Sequence, residues 1–578
     1  MDRTFEDLDT TLEAEGVHLL KCEPNYNIWF GDGEQFRLST DIASMKTEIE
    51  KWEGKDGFSR YLAYLQEAHD HYELSVSHVL LRNFTNITSM LRTSFLRHIA
   101  ALHPFESIYS RTARYFRTDR LRRVFTFGSM YMGMSPFDAP GTYSLLQYTE
   151  LAEGIWYPVG GFNKVIQALV AVGKRLGVQY RFSCSVEKIL LSAEGSSAIG
   201  VQLSSGETLK ADVVINNSDL VYAYNNLLPK TLYAQSLSQR PTSCSSISFY
   251  WALDRKVPQL AAHNIFLADE YRQSFDSIFL KHLIPNEPSF YVNVPSRVDA
   301  TAAPEGKDSI VILVPVGHLV ANPAASSSLP SGRVNGDGKD PTKLVGASEV
   351  SGVSTSTTQD WPKMIALARR TILSTIKDRI GEDISPYITK EITNDPATWR
   401  DKFNLDRGAI LGLSHSFFNV LSFRPSTRAR KGGALDGHFE ALYPRLASVT
   451  GSEFAKSLTS TLQRIGEVVA PGSNIRGLYF VGASSHPGTG VPICLAGGKL
   501  VAEQVLEDQG VGIPWQKAAV NSKNRMSGLM GTTGREIDKP FGRFADGWLQ
   551  ALFLVVVTLL GWLASGVGIV LDTFLMAA

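Results

Sequence analysis

Hydrophobic positions recur along this chain at two periods, and their alternation predicts a mixed α/β architecture. Phe162–Leu176 reads FNKVIQALVAVGKRL, with apolar residues at the spacing of one helical face and Gly177 placed to cap the carboxyl end. Short β-rich runs follow at Val178–Phe182, Val186–Leu191, Ala198–Leu203 and Thr208–Lys210, with Gly195 and Gly206 in the turns between them. Ala211–Asn216 is a continuous apolar run that closes on polar residues. A strand buried on both faces, with a ligand-facing loop at its carboxyl end, reads this way. Helix, three-stranded meander and buried strand together suggest a doubly wound sheet with a β-meander crossover. Other α/β enzymes share that pattern.

A second buried strand is predicted at Gly477–Val481. It runs into Gly482-Ala-Ser-Ser-His-Pro-Gly-Thr-Gly-Val-Pro492, and a helix is expected soon after with Ala496, Gly497 and Gly498 in its first turn. A glycine-rich loop between strand and helix brings backbone N–H groups and the positive helix end close to an anionic group. Gly497 and Gly498 would let that backbone approach a flat ring. His486, followed by proline and glycine, reads as a turn residue and not as a base.

Two stretches are too poor in apolar residues to build a core. In residues 321–358, 20 of 38 residues are Gly, Pro, Ser or Thr and none is aromatic, so a flexible insertion is expected. Residues 509–546 read as a linker. Residues 547–571 then carry no charge over 25 residues, a length of roughly 37 Å as a helix against a hydrocarbon core of about 30 Å. Lys539 and Arg543 before it and Asp572 after it favour a cytosolic body on a single-pass carboxyl-terminal anchor. A buried core helix or a membrane-lying hairpin is the alternative, since Gly561, Gly566 and Gly568 weaken a straight span.

Composition narrows the function. With 44% hydrophobic and 20% charged residues, the chain is globular and not disordered. Lys+Arg and Asp+Glu are both 57, which argues against a nucleic-acid partner. Cys22, Cys184, Cys244 and Cys494 are too scattered for a disulfide framework or a zinc site and are expected to be core residues; no metal is expected.

The segment GLYFVGASSHPGTGVPICLAGGKLVAEQVLED resembles the carboxyl-terminal flavin signature of carotenoid phytoene desaturases of the bacterial and fungal type. The resemblance extends through FRTDRLRRVFTFGSMYMGMSPFDAPGTYSLLQYTELAEGIWYPVGGFNKVIQAL and ADVVINNSDLVYAYNNLLP, and covers nearly all of residues 5–508 apart from the insertion. It implies an FAD flavoprotein of the amine-oxidase-like superfamily that inserts double bonds into phytoene, giving lycopene or more desaturated polyenes, with NAD(P) as an alternative electron acceptor. Residues 1–320 would interleave the FAD-binding and substrate domains, 359–476 would continue the substrate domain, and 477–508 would close the FAD domain. A hydrocarbon substrate without a polar handle implies an apolar tunnel, contact with membrane lipid and an endoplasmic-reticulum or lipid-associated location. An oligomer is also open.

For the proton-accepting base the resemblance points to Arg117, Asp119 and Arg122. Asp119 and Arg122 would share a helix face, with the arginines holding the carboxylate ionised in an apolar site. Six arginines between Arg111 and Arg123 also fit a solvated or headgroup-facing surface. Cofactor contacts carried over are Val186 on the adenine side, Ser218, and Gly482, Ala483, Gly490, Val491 and Pro492 of the loop. Trp156, Pro158, Gly160 and Gly161 match a motif near the flavin. The sequence departs from the family at one point: it contains no G-x-G-x-x-G after a strand. The chain is therefore expected to lack the first βαβ unit and, as written, to be flavin-poor. A flavin enzyme on another isoprenoid, or a non-catalytic membrane-tethered remnant, stays open beside desaturation.

Overall fold

The structure, a computed structural model, describes residues 1–84, 89–90, 98–320, 359–416, 419–432 and 472–515. Its first eight strands are β1 (Leu19–Cys22), β2 (Tyr26–Trp29), β3 (Gln35–Leu38), β4 (Ile155–Pro158), β5 (Val186–Leu191), β6 (Ala198–Leu203), β7 (Thr208–Lys210) and β8 (Val214–Asn216). The later ones are β9 (Ser245–Leu253), β10 (His263–Phe266), β11 (Phe290–Asn293), β12 (Ser309–Val316), β13 (Ile388–Asn394), β14 (Arg428–Arg430) and β15 (Asn474–Phe480).

The largest sheet has the order β13-β9-β12-β11-β10-β2-β3 and is antiparallel except where β10 runs parallel to β2. Its β9 and β12 read SSISFYWAL and SIVILVPV, and Ile247, Phe249, Trp251, Ile310, Ile312 and Val314 are all buried. The helix Trp361–Ile380 covers them with Met364, Ala368, Ile372 and Ile376, a stripe repeating every four residues. Asp360 starts this helix by accepting from the Lys363 N–H at 3.2 Å, and Gly381 ends it at φ 76°. Strand β12 and this helix flank residues 321–358 yet share one core, so that stretch interrupts a single packing unit. The expected insertion itself lies outside the described residues, as does 547–571. Among the described residues no helix is long and apolar enough to cross a membrane.

The meander is present as read: β5-β6-β7 form an antiparallel sheet with left-handed Gly195 and Gly206 at its turns. The preceding helix spans Asn163–Arg175 and buries Val165, Ala168 and Val172. Four expectations need correction. Val178–Phe182 forms no strand; it finds no ladder partner, and Phe182 is 78% exposed. The strand at Ala211–Asn216 shortens to β8 and is not buried on both faces, because it is the edge of the sheet β14-β15-β8 and Ile215 faces solvent. The doubly wound sheet therefore reduces, among the described residues, to the parallel pair β8 and β15 within mixed sheets. Of the cysteines, Cys22 and Cys244 are buried, but Cys184 is exposed on the same coil as Phe182.

Candidate functional site

The parallel pair sets the site. Leu478 pairs with Val214 and Phe480 with Asn216, so both strands end at the same level. A crevice outside the carboxyl ends of parallel strands is where α/β sheets bind ligands. Here the two exit loops are sewn together. Val481 donates its N–H to the Asn216 carbonyl at 3.0 Å, and Asn217 Nδ2 donates to the Val481 carbonyl at 2.9 Å. Ser218 Oγ donates to Asn216 Oδ1 at 2.8 Å. Asp219 caps the next turn through the Tyr222 N–H at 2.9 Å and meets Ser484 Oγ at 3.4 Å. Burial pushes its carboxyl up to about 6. The expected loop residues Ser218, Gly482 and Ala483 are thus brought together.

From Gly482 the chain passes through a buried turn at Ser484, Ser485 and His486 to Gly490, and the next helix starts at Val491. This is earlier than expected, so Gly497 and Gly498 sit in its second turn. Gly488 adopts φ 135°, and a Cβ there would lie 2.7 Å from His415 Nε2, which excludes any side chain. Gly490, Val491 and Pro492 are exposed at the helix start, with no acidic residue in the first turn and no side-chain cap. Those free N–H groups and the open space around Gly498 suit a flat, electron-accepting ring.

Two buried side chains hold this loop in place. Arg424 donates to the carbonyls of Ser485 at 3.0 Å, Asn419 at 2.8 Å, and Ser414 and Leu413 at 3.2 Å each, and also to that of Ala483. Burial draws its guanidinium down to about 10, so it stays charged at neutral pH. His415 Nε2 accepts the Thr489 N–H at 3.3 Å, and burial keeps the ring neutral. His486 bonds the Arg82 carbonyl at 2.8 Å through Nε2 and also lines the cavity beside the loop.

Beside the loop lies an apolar cavity of about 110 Å³, concave and lined mostly by hydrocarbon, as ligand sites are. Pro487 and Ile493 wall it from the loop and the Val491–Asp508 helix, Leu145 and Leu146 from the short helix Leu145–Tyr148, and Met132, Tyr143, His415 and His486 also line it.

The expected base residues are elsewhere. Asp119 opens the short helix Asp119–Val124, and its side chain is 50% exposed. It accepts from Tyr109 Oη at 2.7 Å and from Arg123 Nε at 2.6 Å, so its partner is Arg123 and not Arg122. Arg122 Nε donates to the Phe116 carbonyl at 2.9 Å, and Arg117, mostly exposed, pairs with Asp56 at 3.1 Å. None of the three lines the cavity. The apolar setting expected for Asp119 is absent because its helix buries only Leu121 and Val124 and turns the charged face outward.

Trp156 and Pro158 lie on β4, paired with β1. The Trp156 ring is half exposed, and Gly160 donates its N–H to Asp299 Oδ2 at 2.7 Å ahead of left-handed Gly161. Val186 opens β5 opposite Leu203, half-buried. Sequence reading missed Arg424, His415, Asp219 and the cavity wall. Of these, Asp219 alone carried a local signal, directly after Ser218.

Such a crevice, with a glycine loop on a helix start and an apolar chamber against it, belongs to proteins that set a flat redox cofactor against a hydrocarbon. Residues 8–323 match the family described as flavin containing amine oxidoreductase. A phytoene desaturase of Cercospora nicotianae is 58% identical over 573 residues, 97% of this chain and 88% of that protein. One of Fusarium fujikuroi is 56% identical over 90% of this chain and 81% of its own. The zeta-carotene-forming phytoene desaturase of Myxococcus xanthus is 30% identical over 90% and 85%. The chain belongs to the phytoene desaturases of the flavin-containing amine oxidoreductase family. Its cofactor is FAD, and the residues present fit the flavin end of it: the Gly482–Pro492 loop and the helix start would hold the ring, and Ser218 and Asp219 lie at the same crevice.

Proposed function

We propose that this chain desaturates phytoene, and the observation that carries the reading is the shared wall. Pro487 and Ile493 belong to the cofactor loop and its helix, and both line the apolar cavity. A hydrocarbon offers no polar group to grip, so binding rests on apolar area removed from water, at about 25 cal/mol per Å². FAD supplies the two-electron oxidation that no side chain can perform. Each new double bond requires loss of a hydride equivalent and a proton from neighbouring carbons; bound FAD would provide the acceptor for the first, and a base on the protein would receive the second. The chain's own part is to orient the polyene, exclude water and receive that proton.

The substrate is lipid-dissolved, so the protein works against a membrane. Residues 547–571, uncharged and long enough to span one, would tether it there with the body in the cytosol, at the endoplasmic reticulum or a lipid store. Flavin-loaded protein incubated with phytoene in liposomes should yield visibly absorbing polyenes. Loaded protein that leaves phytoene unchanged would defeat the assignment. Deleting residues 547–578 should move part of the protein out of carbonate-washed membranes.

A further inference from the structure

With Asp119 on the surface, the proton lost in each desaturation needs an acceptor that faces the hydrocarbon. The cavity wall narrows the choice. Among the described residues that line it there is no carboxylate; the polar ones are Ser75, Thr142, Tyr143, His415 and His486. The hydroxyls of Ser75 and Thr142 are not bases at neutral pH, and Thr142 Oγ1 donates to the Leu102 carbonyl. Burial lifts the Tyr143 phenol well above its ordinary range, which holds it in the neutral form. Two imidazoles remain.

Their hydrogen bonds set them apart. A neutral imidazole carries one N–H and one lone pair, and its partners decide which nitrogen holds which. His415 Nε2 accepts the Thr489 N–H at 3.3 Å. Its lone pair is therefore spent on the cofactor loop, and its proton sits on Nδ1. His486 has the opposite tautomer. Its Nε2 meets the Arg82 carbonyl at 2.8 Å, and a carbonyl can only accept, so Nε2 carries the proton. The lone pair is then on Nδ1, which is buried.

His486 is also the one ionisable residue of the Gly482–Pro492 loop, and it stands on the cavity wall beside Pro487. It thus belongs at once to the cofactor cradle and to the hydrocarbon chamber. The residue before it is anchored, because the Ser485 carbonyl accepts from Arg424 at 3.0 Å. Its surroundings also suit a ring that becomes charged. The Arg82 carbonyl faces the Nε2–H, and the Phe84 ring lies 5.2 Å away between centroids, inside the roughly 6 Å reach of a cation on an aromatic ring.

We propose that His486 is the catalytic base of the desaturation, receiving on Nδ1 the proton that leaves the carbon next to the hydride-donating one. The inference rests on the desaturase reading. The C–H bond of that carbon breaks and its electron pair closes the new double bond. The hydride equivalent of the neighbouring carbon, with its two electrons, passes to bound FAD, and the imidazole becomes an imidazolium with an N–H on each nitrogen. The turn residue of the sequence reading thereby takes a second part, disclosed by its place on the cavity wall.

The test compares flavin-loaded wild type with His486→Gln. A glutamine amide keeps a donor for the Arg82 carbonyl and removes the imidazole lone pair. Flavin content and phytoene binding, read from the spectrum of the oxidised flavin, should hold, while anaerobic single-turnover bleaching by phytoene slows by about 10² or more. A second readout needs no turnover. Diethyl pyrocarbonate acylates an unprotonated imidazole nitrogen, and peptide mass mapping locates the product. In wild type His486 should be acylated without phytoene and lose that reactivity when phytoene is bound. A near-normal bleaching rate in His486→Gln, a variant that loses flavin or phytoene binding instead of rate, or reactivity at His486 that phytoene leaves unchanged overturns the role. Wild-type protein that phytoene shields at His486 but never bleaches would instead defeat the desaturase reading itself.

Discussion

Asp119 and Glu150 are two carboxylates of one enzyme with opposite surroundings. The first sits at a helix start among arginines, half exposed, with both its partners in place. The second is buried among tyrosines with one oxygen unmatched. A dense charge run attracts the eye in a sequence, but charges that satisfy one another at the surface have little left to offer a substrate. What tunes an acid is desolvation, and desolvation is a property of packing.

The sharpest way to break this contrast is the pair Glu150→Gln and Asp119→Asn. Glu150→Gln should remove a pH dependence of stability that Asp119→Asn leaves in place, measured by denaturant unfolding from acid to above a pH of about 8. A second effect of several kcal/mol should come from Arg424→Met. It strands five carbonyls in the interior, each at about 1–3 kcal/mol where no substitute donor reaches it. Denaturant unfolding and flavin content should fall together. Ile372→Ala, far from the flavin loop, should cost about 2–5 kcal/mol of stability while leaving the flavin-to-protein ratio of the folded fraction unchanged.

A smaller effect is carried by pH. Because the folded protein holds the Glu150 proton more tightly than the unfolded chain, the stability Glu150 contributes is full in acid and lost as pH rises through about 8. Glu150→Gln should flatten that part of a stability-against-pH curve. Asp119→Asn closes the series. An exposed pair of this kind is worth about 0–1 kcal/mol, and turnover should stay close to wild type. A collapse of turnover there would restore Asp119 to the chemistry.

The parts legible in the sequence are those fixed by neighbours along the chain. Gly195 and Gly206 punctuate β5, β6 and β7, and the strand-to-glycine-loop run after Gly477 announces its own turn. Glu150 was not legible, because in SLLQYTELAEG a glutamate beside polar residues looks like any solvated helix position; only Tyr26 and Tyr131, distant in sequence, bury it. Arg424 is similar, since its partners are backbone carbonyls, which every residue has. Val178–Phe182 failed in the other direction: β-rich residues form no strand without a ladder to join.

The Arg424 knot reaches beyond catalysis to the protein's survival. One guanidinium ties the loop that cradles the flavin, at Ala483 and Ser485, to the segment at Leu413, Ser414 and Asn419. The cofactor cradle and that neighbouring segment therefore order as one unit. A ligand that binds only the ordered form stabilises it by RT ln(1 + [L]/Kd), about 2.7 kcal/mol at a hundredfold excess over Kd. Flavin supply then governs more than the fraction of active enzyme. Flavin-depleted protein should therefore be digested faster by protease than flavin-loaded protein, in proportion to the larger open fraction.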